Sequence, residues 1–409
     1  MKSKIFSIAT VGVYITLLTV LVGELFRLKG ILLLDIWAPL FAGIWLMWKL
    51  GRKEFKSVPK LIWPATAFVA VGFMSLLFNS VEMSWGEFLS AALYGVRWGS
   101  LALIGILVME ESPKTRQVIL TQVVIFSVLL AIAGFIQLAI VPDFTDYEIL
   151  GWDPHIGRLL STWFDPNFVG GWLAFIAPVV LGLAWEDKKY RAGWLAALAV
   201  IGLALLLTLS RSAYLALIAG FGIFALIRSK KLLIGFLILG LIATAIFPPV
   251  QSRMMSLVDS AQSVLSETYS LPDASARHRF GSWEEGWELF LDKPFIGQGY
   301  NRYGDAALEL GTIKDTEIHS ANGSDSSLLT VLATTGLLGF IPYISIYLLI
   351  MRWAWLQKQD GLLAGLIGLF VHSVFVNSLL FPLLLMPLWL AIGSLLESSE
   401  QTHFDLPKH

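Results

Sequence analysis

Val118-Ile119-Leu120-Thr121-Gln122-Val123-Val124-Ile125-Phe126-Ser127-Val128-Leu129-Leu130-Ala131-Ile132-Ala133-Gly134-Phe135-Ile136-Gln137-Leu138-Ala139-Ile140-Val141 runs without one charged side chain. A helix rises about 1.5 Å per residue, so roughly 18 or more such residues cross a hydrocarbon core about 30 Å thick. Backbone in lipid must satisfy its own amides and carbonyls, which a helix does and an open strand does not. The run is unbroken rather than alternating, which excludes a membrane β-barrel strand. Comparable apolar runs fall near residues 5–24, 31–48, 61–79, 88–108, 168–185, 193–209, 212–227, 232–248, 328–350, 361–378 and 381–396. Together they predict an all-α integral membrane protein with about twelve transmembrane helices.

Composition agrees. Of 409 residues 56% are hydrophobic and only 14% charged, with a mean hydropathy of +0.72; soluble domains run near a quarter charged. A formal net charge of −1 and the lack of any long Lys/Arg block remove the electrostatic case for nucleic acid, leaving the lipid bilayer as the general partner. With no Cys there are no disulfides, thiolate nucleophiles or Cys-based zinc sites, and the six His show no HxxxH or HExxH spacing. No metal site and no cofactor are expected. The first apolar run, Ile5 to Val22, leads into Glu24-Leu25-Phe26-Arg27 without a small-x-small cleavage site, so it reads as a retained first span and not as a signal peptide.

Orientation follows from the basic residues. With a cytoplasmic N-terminus, inside segments collect Lys49, Arg52, Lys53, Lys56, Lys60, Lys114, Arg116, Lys188, Lys189, Arg191, Arg228, Lys230, Lys231, Arg352 and Lys358, while the opposite short loops hold only Arg27, Lys29, Arg158 and Arg211. The positive-inside rule then puts both termini in the cytoplasm. It puts three polar elements outside: the loop 142–167, the turn at Ser210-Arg211, and one long excursion. The chain divides accordingly into spans one to nine (1–249), an extracytoplasmic, partly helical loop (250–327), and spans ten to twelve with a cytoplasmic tail (328–409).

The excursion holds Arg277 and Arg279, then Trp283, Trp287 and Phe290 at i, i+4 and i+7, then the turn Pro294-Phe295-Ile296-Gly297-Gln298-Gly299-Tyr300-Asn301, then His319 and Asp325. The aromatic spacing predicts a helix lying on the outer interface with its rings at headgroup depth. Arg277 and Arg279 enter just before its first turn, where free amides attract anions. Gly297-Gln298-Gly299 reads as a turn or as a backbone nest for an anion. Arg211, in Leu209-Ser210-Arg211-Ser212 between two apolar helices, needs a partner or an aqueous cavity, because mid-membrane Arg costs roughly 2.5–3.5 kcal/mol. Its planar fork suits phosphate. Arg158 and Asn167 flank Phe164-Asp165-Pro166-Asn167, which opens the next helix. Asp35, Arg97 and His372 fall inside spans and are functional candidates or helix-to-helix pairs.

In order and spacing these residues resemble the bacterial O-antigen ligase and O-antigen polymerase superfamily of polytopic membrane glycosyltransferases. The likeness covers about residues 150–345. Four stretches carry it: Phe164-Asp165-Pro166-Asn167, Leu209-Ser210-Arg211-Ser212, Arg279 four residues before Trp283 with Pro294, Gly297 and Gly299 following, and Asp325-Ser326-Ser327-Leu328-Leu329 before Gly336-Leu337-Leu338-Gly339. The resemblance implies transfer of a glycan from an undecaprenyl-pyrophosphate carrier to another glycan or to lipid A core. The reaction is at the outer face of the bacterial cytoplasmic (inner) membrane and uses neither nucleotide sugar nor metal. It implies that Arg211 and Arg279, with Arg277 and Arg158, hold the pyrophosphate. Asn167, Tyr300 and Asn301 are further candidates. Ligases often carry His-Asn where this chain has Asp325-Ser326, which favours polymerase over ligase and Asp325 over His319 as the base. The rival is a transporter or flippase for an anionic lipid or sugar that uses Asp35, Arg97 and His372 as a central pathway.

Overall fold

The structure, a computed structural model, describes residues 7–28, 30–53, 59–81, 83–265, 274–313 and 323–397. Among them fifteen α-helices run in chain order: α1 (Ile8–Val22), α2 (Leu33–Gly51), α3 (Ile62–Phe78), α4 (Trp85–Met109), α5 (Pro113–Ile140), α6 (Pro166–Glu186), α7 (Arg191–Leu207), α8 (Arg211–Arg228), α9 (Lys230–Ile246), α10 (Pro248–Leu265), α11 (Ala274–Asp292), α12 (Tyr303–Glu309), α13 (Ser327–Leu356), α14 (Asp360–Phe375) and α15 (Pro382–Leu395). One two-residue hairpin, β1 (Arg27–Leu28) against β2 (Ile31–Leu32), links α1 to α2. Local chemistry sets several starts. Ser7 caps α1 and Ser84 caps α4, each in a capping box. Ser112 and Asp165 cap α5 and α6, each followed by a proline at the first helical position, whose missing amide would have no partner there.

Among the described residues, seven helices are long and apolar enough to span a membrane: α1 with its 3₁₀ extension to Phe26, α2, α4, α5, α6, α8 and α13. An eighth span arises only if α9 and the first part of α10, bent by 110°, are taken together. Helices also stand at the other expected positions: α3, α7, α14 and α15 have 17, 17, 16 and 14 residues. At about 1.5 Å per residue, α14 and α15 are the shortest against a hydrocarbon core of about 30 Å. For α14 and α15 the packing gives a reason. Both are buried on nearly every side, α14 between α6 and α8 and α15 against α4 and α5, so protein rather than lipid surrounds them. Close approach depends on small residues: a Cβ at Gly361, Gly365 or Gly368 of α14 would lie 2.5–2.7 Å from backbone carbonyl oxygens of Pro178, Phe175 and Ala216.

Charges gather at one end of the bundle. Lys49 pairs with Glu111 at 2.8 Å, Arg116 with Glu397, and Arg228 with both Asp360 and Glu186, the latter at 2.9 Å. All belong to the ends that the basic-residue count assigns to the cytoplasm.

At the opposite end the segment after α11 locks into α13. Within α13 the chain breaks at Gly336 (φ 60°, ψ −167°), which frees backbone groups in the middle of an apolar helix. Four hydrogen bonds satisfy them: Gln298 N to Ala333 O (2.9 Å), Gly299 N to Thr334 O (3.1 Å), Leu337 N to Pro294 O (2.9 Å) and Leu338 N to Phe295 O (3.1 Å). From α3, Ser75 Oγ donates to Thr334 O and Asn79 Nδ2 to Gly297 O. The amides of Gln298 and Gly299 are thus spent on α13, and the nest reading of Gly297-Gln298-Gly299 gives way to a structural turn.

α11 is held to the bundle by a face other than its aromatic one. Its packing face is Ser282, Gly286 and Leu289, set against Ser324 and α13, while the aromatic stripe divides: Phe290 is buried, Trp283 packs on Phe375 of α14 at 5.6 Å, and only Trp287 is exposed. Tertiary burial of the small-residue face outweighs the moment of the aromatic one.

Gly336→Ala is expected to lower stability by at least about 2 kcal/mol, because its Cβ would meet Phe295 C and O at 2.4 Å in a backbone region that only glycine adopts readily. Gly202→Ala in α7, with open space around it, should be neutral or stabilising. Thermal unfolding of the two variants in detergent makes the comparison.

Candidate functional site

Above the interlock lies a cavity of about 360 Å³. Its walls come from distant parts of the chain: the α1–α2 hairpin, α4, the start of α6, α11, the turn 300–301, the start of α13 and the segment between α14 and α15. Of the residues singled out in the sequence, Arg279, Asp325, Asn167, Tyr300 and Asn301 line it, as do Arg97 and Asp165. Arg158, Arg211 and Arg277 do not, and His319 lies outside the described residues.

Asp325 is half-buried just before α13. Its backbone amide donates to Ser282 Oγ of α11 (2.8 Å), and the neighbouring Ser324 Oγ donates to Ser282 O (3.1 Å). Ser282 stands three residues after Arg279 on α11, so one turn of helix couples the position of the arginine to that of the carboxylate. Tyr303 closes the same corner: it is buried among Ser282, Glu285 and Asp325, and burial raises its phenol well above the ordinary value.

Asn167 organises the other wall. Asp165 Oδ1 accepts from the amides of Asn167 (2.6 Å) and Phe168 (3.2 Å), capping α6. Asn167 Oδ1 then accepts from Arg158 Nη2 (3.3 Å) and Ser210 Oγ (2.9 Å). Arg158 Nε donates to Thr208 O at 2.9 Å, tying loop 141–165 to the α7–α8 turn. From Ser210 the hydroxyl chain continues to Ser212 (3.1 Å), His372 Nε2 (3.2 Å) and, through Nδ1, Ser378 (3.1 Å). Since both ring nitrogens face hydroxyls, one donates and the other accepts. His372 is therefore a satisfied core residue. It does not line the cavity that Arg97 borders, and Arg97 pairs with Asp35 at 3.0 Å.

Behind Asn167 positive charge accumulates. Burial, opposed by Asp165 but reinforced by Arg253 and Arg279, pushes the Arg158 guanidinium down to about 10, and burial together with Arg158 lowers the imidazole of His155. Arg158 stays charged at neutral pH, close enough to Arg253 and Arg279 to feel both. Arg211 opens α8, is buried, and donates to Ser256 Oγ of α10 at 2.6 Å. Arg277 is exposed on α11. Arg253 was missed in the sequence: it lies on the polar helix α10, with no motif around it, and only the fold brings it beside Arg158. Asn377, Glu24 and Arg27 were likewise missed, because nothing local marks them as facing a cavity. Among the described residues no three His, Asp or Glu side chains converge as a metal cage.

The fold and site define a polytopic helical membrane protein with a polar, arginine-backed cavity at one end. Residues 195–344, from within α7 to the middle of α13, match the family model of O-antigen ligase. That match supports an O-antigen ligase- or polymerase-like glycosyltransferase of surface polysaccharide biosynthesis. No curated protein matches the chain.

Asn167→Ala removes the acceptor shared by Arg158 and Ser210 and should cost about 1–3 kcal/mol, whereas Asn167→Asp, which keeps the acceptor, should unfold near the wild-type temperature. Thermal melts in detergent distinguish the two.

Proposed function

We propose that the chain transfers a glycan from an undecaprenyl-pyrophosphate carrier to a sugar hydroxyl, at the outer face of the bacterial cytoplasmic membrane. The supporting observation is that Arg279 and Asp325, from α11 and the start of α13, border one cavity while Arg158 and Arg253 stand close behind it. When the bond from the anomeric carbon to the phosphate oxygen breaks, both bonding electrons leave with the pyrophosphate. Fixed guanidinium groups in a partly dehydrated pocket stabilise that developing charge without reorganising. The acceptor hydroxyl attacks the anomeric carbon and loses its proton, for which Asp325 is the available base. Arginines in this number do for the phosphates what Mg²⁺ does elsewhere, so the reaction is taken as metal-independent. Arg277, on the exposed side of α11, would meet the carrier phosphates as they enter, and Arg211, buried at the α8 start against Ser256, would add its charge from behind.

Polymerase is favoured over lipid A-core ligase on one point: Asp325-Ser326 occupy the place where ligases often carry His-Asn.

In cells, Arg279→Ala and Arg211→Ala should each leave protein abundance intact and abolish long glycan, with a rate loss on the order of 10²–10³ for removal of one charge-stabilising donor. Normal glycan length in both variants would overturn the assignment. Purified protein given a defined undecaprenyl-pyrophosphate oligosaccharide should extend it in the absence of lipid A core; transfer only when core is present would establish a ligase instead.

A further inference from the structure

The cavity is lined by more groups than the proposed chemistry uses. Beyond Arg279 and Asp325 it extends to a second wall formed by Glu24, Arg27, Tyr94, Arg97 and Trp98. This wall comes from α1, the hairpin and α4, which lie wholly outside the family-matched stretch 195–344.

The two ends differ in charge. At the Asp325 end Arg158, Arg253 and Arg279 outnumber Asp165 and Asp325, and one oxygen of Asp165 is spent on capping α6. At the far end charges cancel: Arg97 Nη1 is 3.0 Å from Asp35 Oδ1, and Arg27 Nη1 is 3.2 Å from Glu24 Oε2. Paired charges have little net field left for a phosphate but keep lone pairs and N–H groups for hydroxyls. Holding such pairs partly buried costs desolvation, so a wall built from them calls for a ligand that uses their remaining valences. The Arg97 guanidinium lies 4.2 Å from the Tyr94 ring centroid, which fixes both in a flat, rigid surface. Tyr94 remains 36% exposed. At about 360 Å³ the cavity is at the small end of the range for ligand sites.

We propose that the end of the cavity walled by Tyr94, Arg97 and Trp98 is a subsite for a neutral saccharide unit, which sets glycan specificity separately from the pyrophosphate end. The proposal rests on the glycosyltransferase reading above. Its chemistry is that of a polyhydroxyl ring laid on the Tyr94–Arg97 surface, with hydroxyls donating to the Glu24 carboxylate and accepting from Arg97, which Asp35 holds from behind. The saccharide belongs either to the acceptor or to the first residues of the donor glycan.

The test uses full-length protein in detergent and two probes: inorganic pyrophosphate, and the carrier-free, dephosphorylated oligosaccharide released by mild acid from the host's own lipid-linked glycan. Titration calorimetry should show that Tyr94→Ala weakens the oligosaccharide roughly ten-fold, which corresponds to the loss of one aromatic contact, and leaves pyrophosphate unchanged. Tyr94→Phe, which keeps the ring, should bind like wild type. Arg279→Ala should do the reverse of Tyr94→Ala. An oligosaccharide affinity untouched by Tyr94→Ala, a parallel loss of pyrophosphate, or no oligosaccharide binding by the wild type would each overturn the subsite. In turnover, a rise in KM for the acceptor alone assigns the sugar to the acceptor, and a rise for the donor alone assigns it to the donor. Failure here with Arg279→Ala still abolishing long glycan removes only the subsite; normal glycan length in Arg279→Ala removes the transfer reaction and leaves the saccharide binding to stand.

Discussion

An unsatisfied backbone group in hydrocarbon has no water to turn to, and the break at Gly336 in α13 creates several. The turn 294–299 meets them with a reciprocal set of hydrogen bonds, and α3 adds two through Ser75 and Asn79. Everything at the cavity end depends on this exchange. It fixes the exit of α11, hence Ser282 and Arg279, and it fixes the first half of α13, hence Asp325. Lys293, Arg302 and Asn79 extend the same lock: Lys293 Nζ donates to Asn79 Oδ1 at 2.8 Å and Arg302 Nη1 to Asn79 O at 2.7 Å. A polar excursion is thereby held to an apolar bundle by backbone bonding together with a small apolar cluster of Leu289, Tyr303, Ala306 and Ala307 against Ala333.

On the other side of the cavity the constraint is a chain of small polar side chains. Asp165 fixes the start of α6, Asn167 links it to Arg158 and Ser210, and the hydroxyls lead to His372 in the core. Each group is paid for by the next one along, since a buried donor or acceptor left alone costs about 1–3 kcal/mol. The network holds Arg158 beside Asn167 while its neighbours Arg253 and Arg279 press on it. Such mutual repulsion is tolerable in a site that receives an anion. Where the cavity turns toward α4 the charges instead cancel in pairs. One cavity therefore presents two different surfaces, from two different parts of the chain.

Much of this was legible beforehand. The uncharged runs dictate helices because lipid offers the backbone no alternative, and Pro166 after Asp165 marks the start of α6 by cap chemistry alone. Asp325, Arg279, Asn167, Tyr300 and Asn301 were named from their order and spacing, and the fold brings them to one cavity. Which face of α11 a partner covers was not legible in the aromatic stripe, because periodicity reports only which face is apolar; Gly286 and Ser282 allow the close contact with Ser324 and α13. The short lengths of α14 and α15 were not legible in their composition, because helices surrounded by other helices need not match the thickness of the bilayer.

The sequence by itself determined the membrane class, the positions of the apolar helices and the residue types able to handle a phosphate, since each depends on local composition and spacing. Only the tertiary structure decided that Arg253 joins Arg158, that Gly297-Gln298-Gly299 serves α13 and not an anion, and that Asp35 and Arg97 pair beside the cavity. Those outcomes depend on contacts between segments up to several hundred residues apart, such as Ser75 with Thr334, which no local pattern encodes.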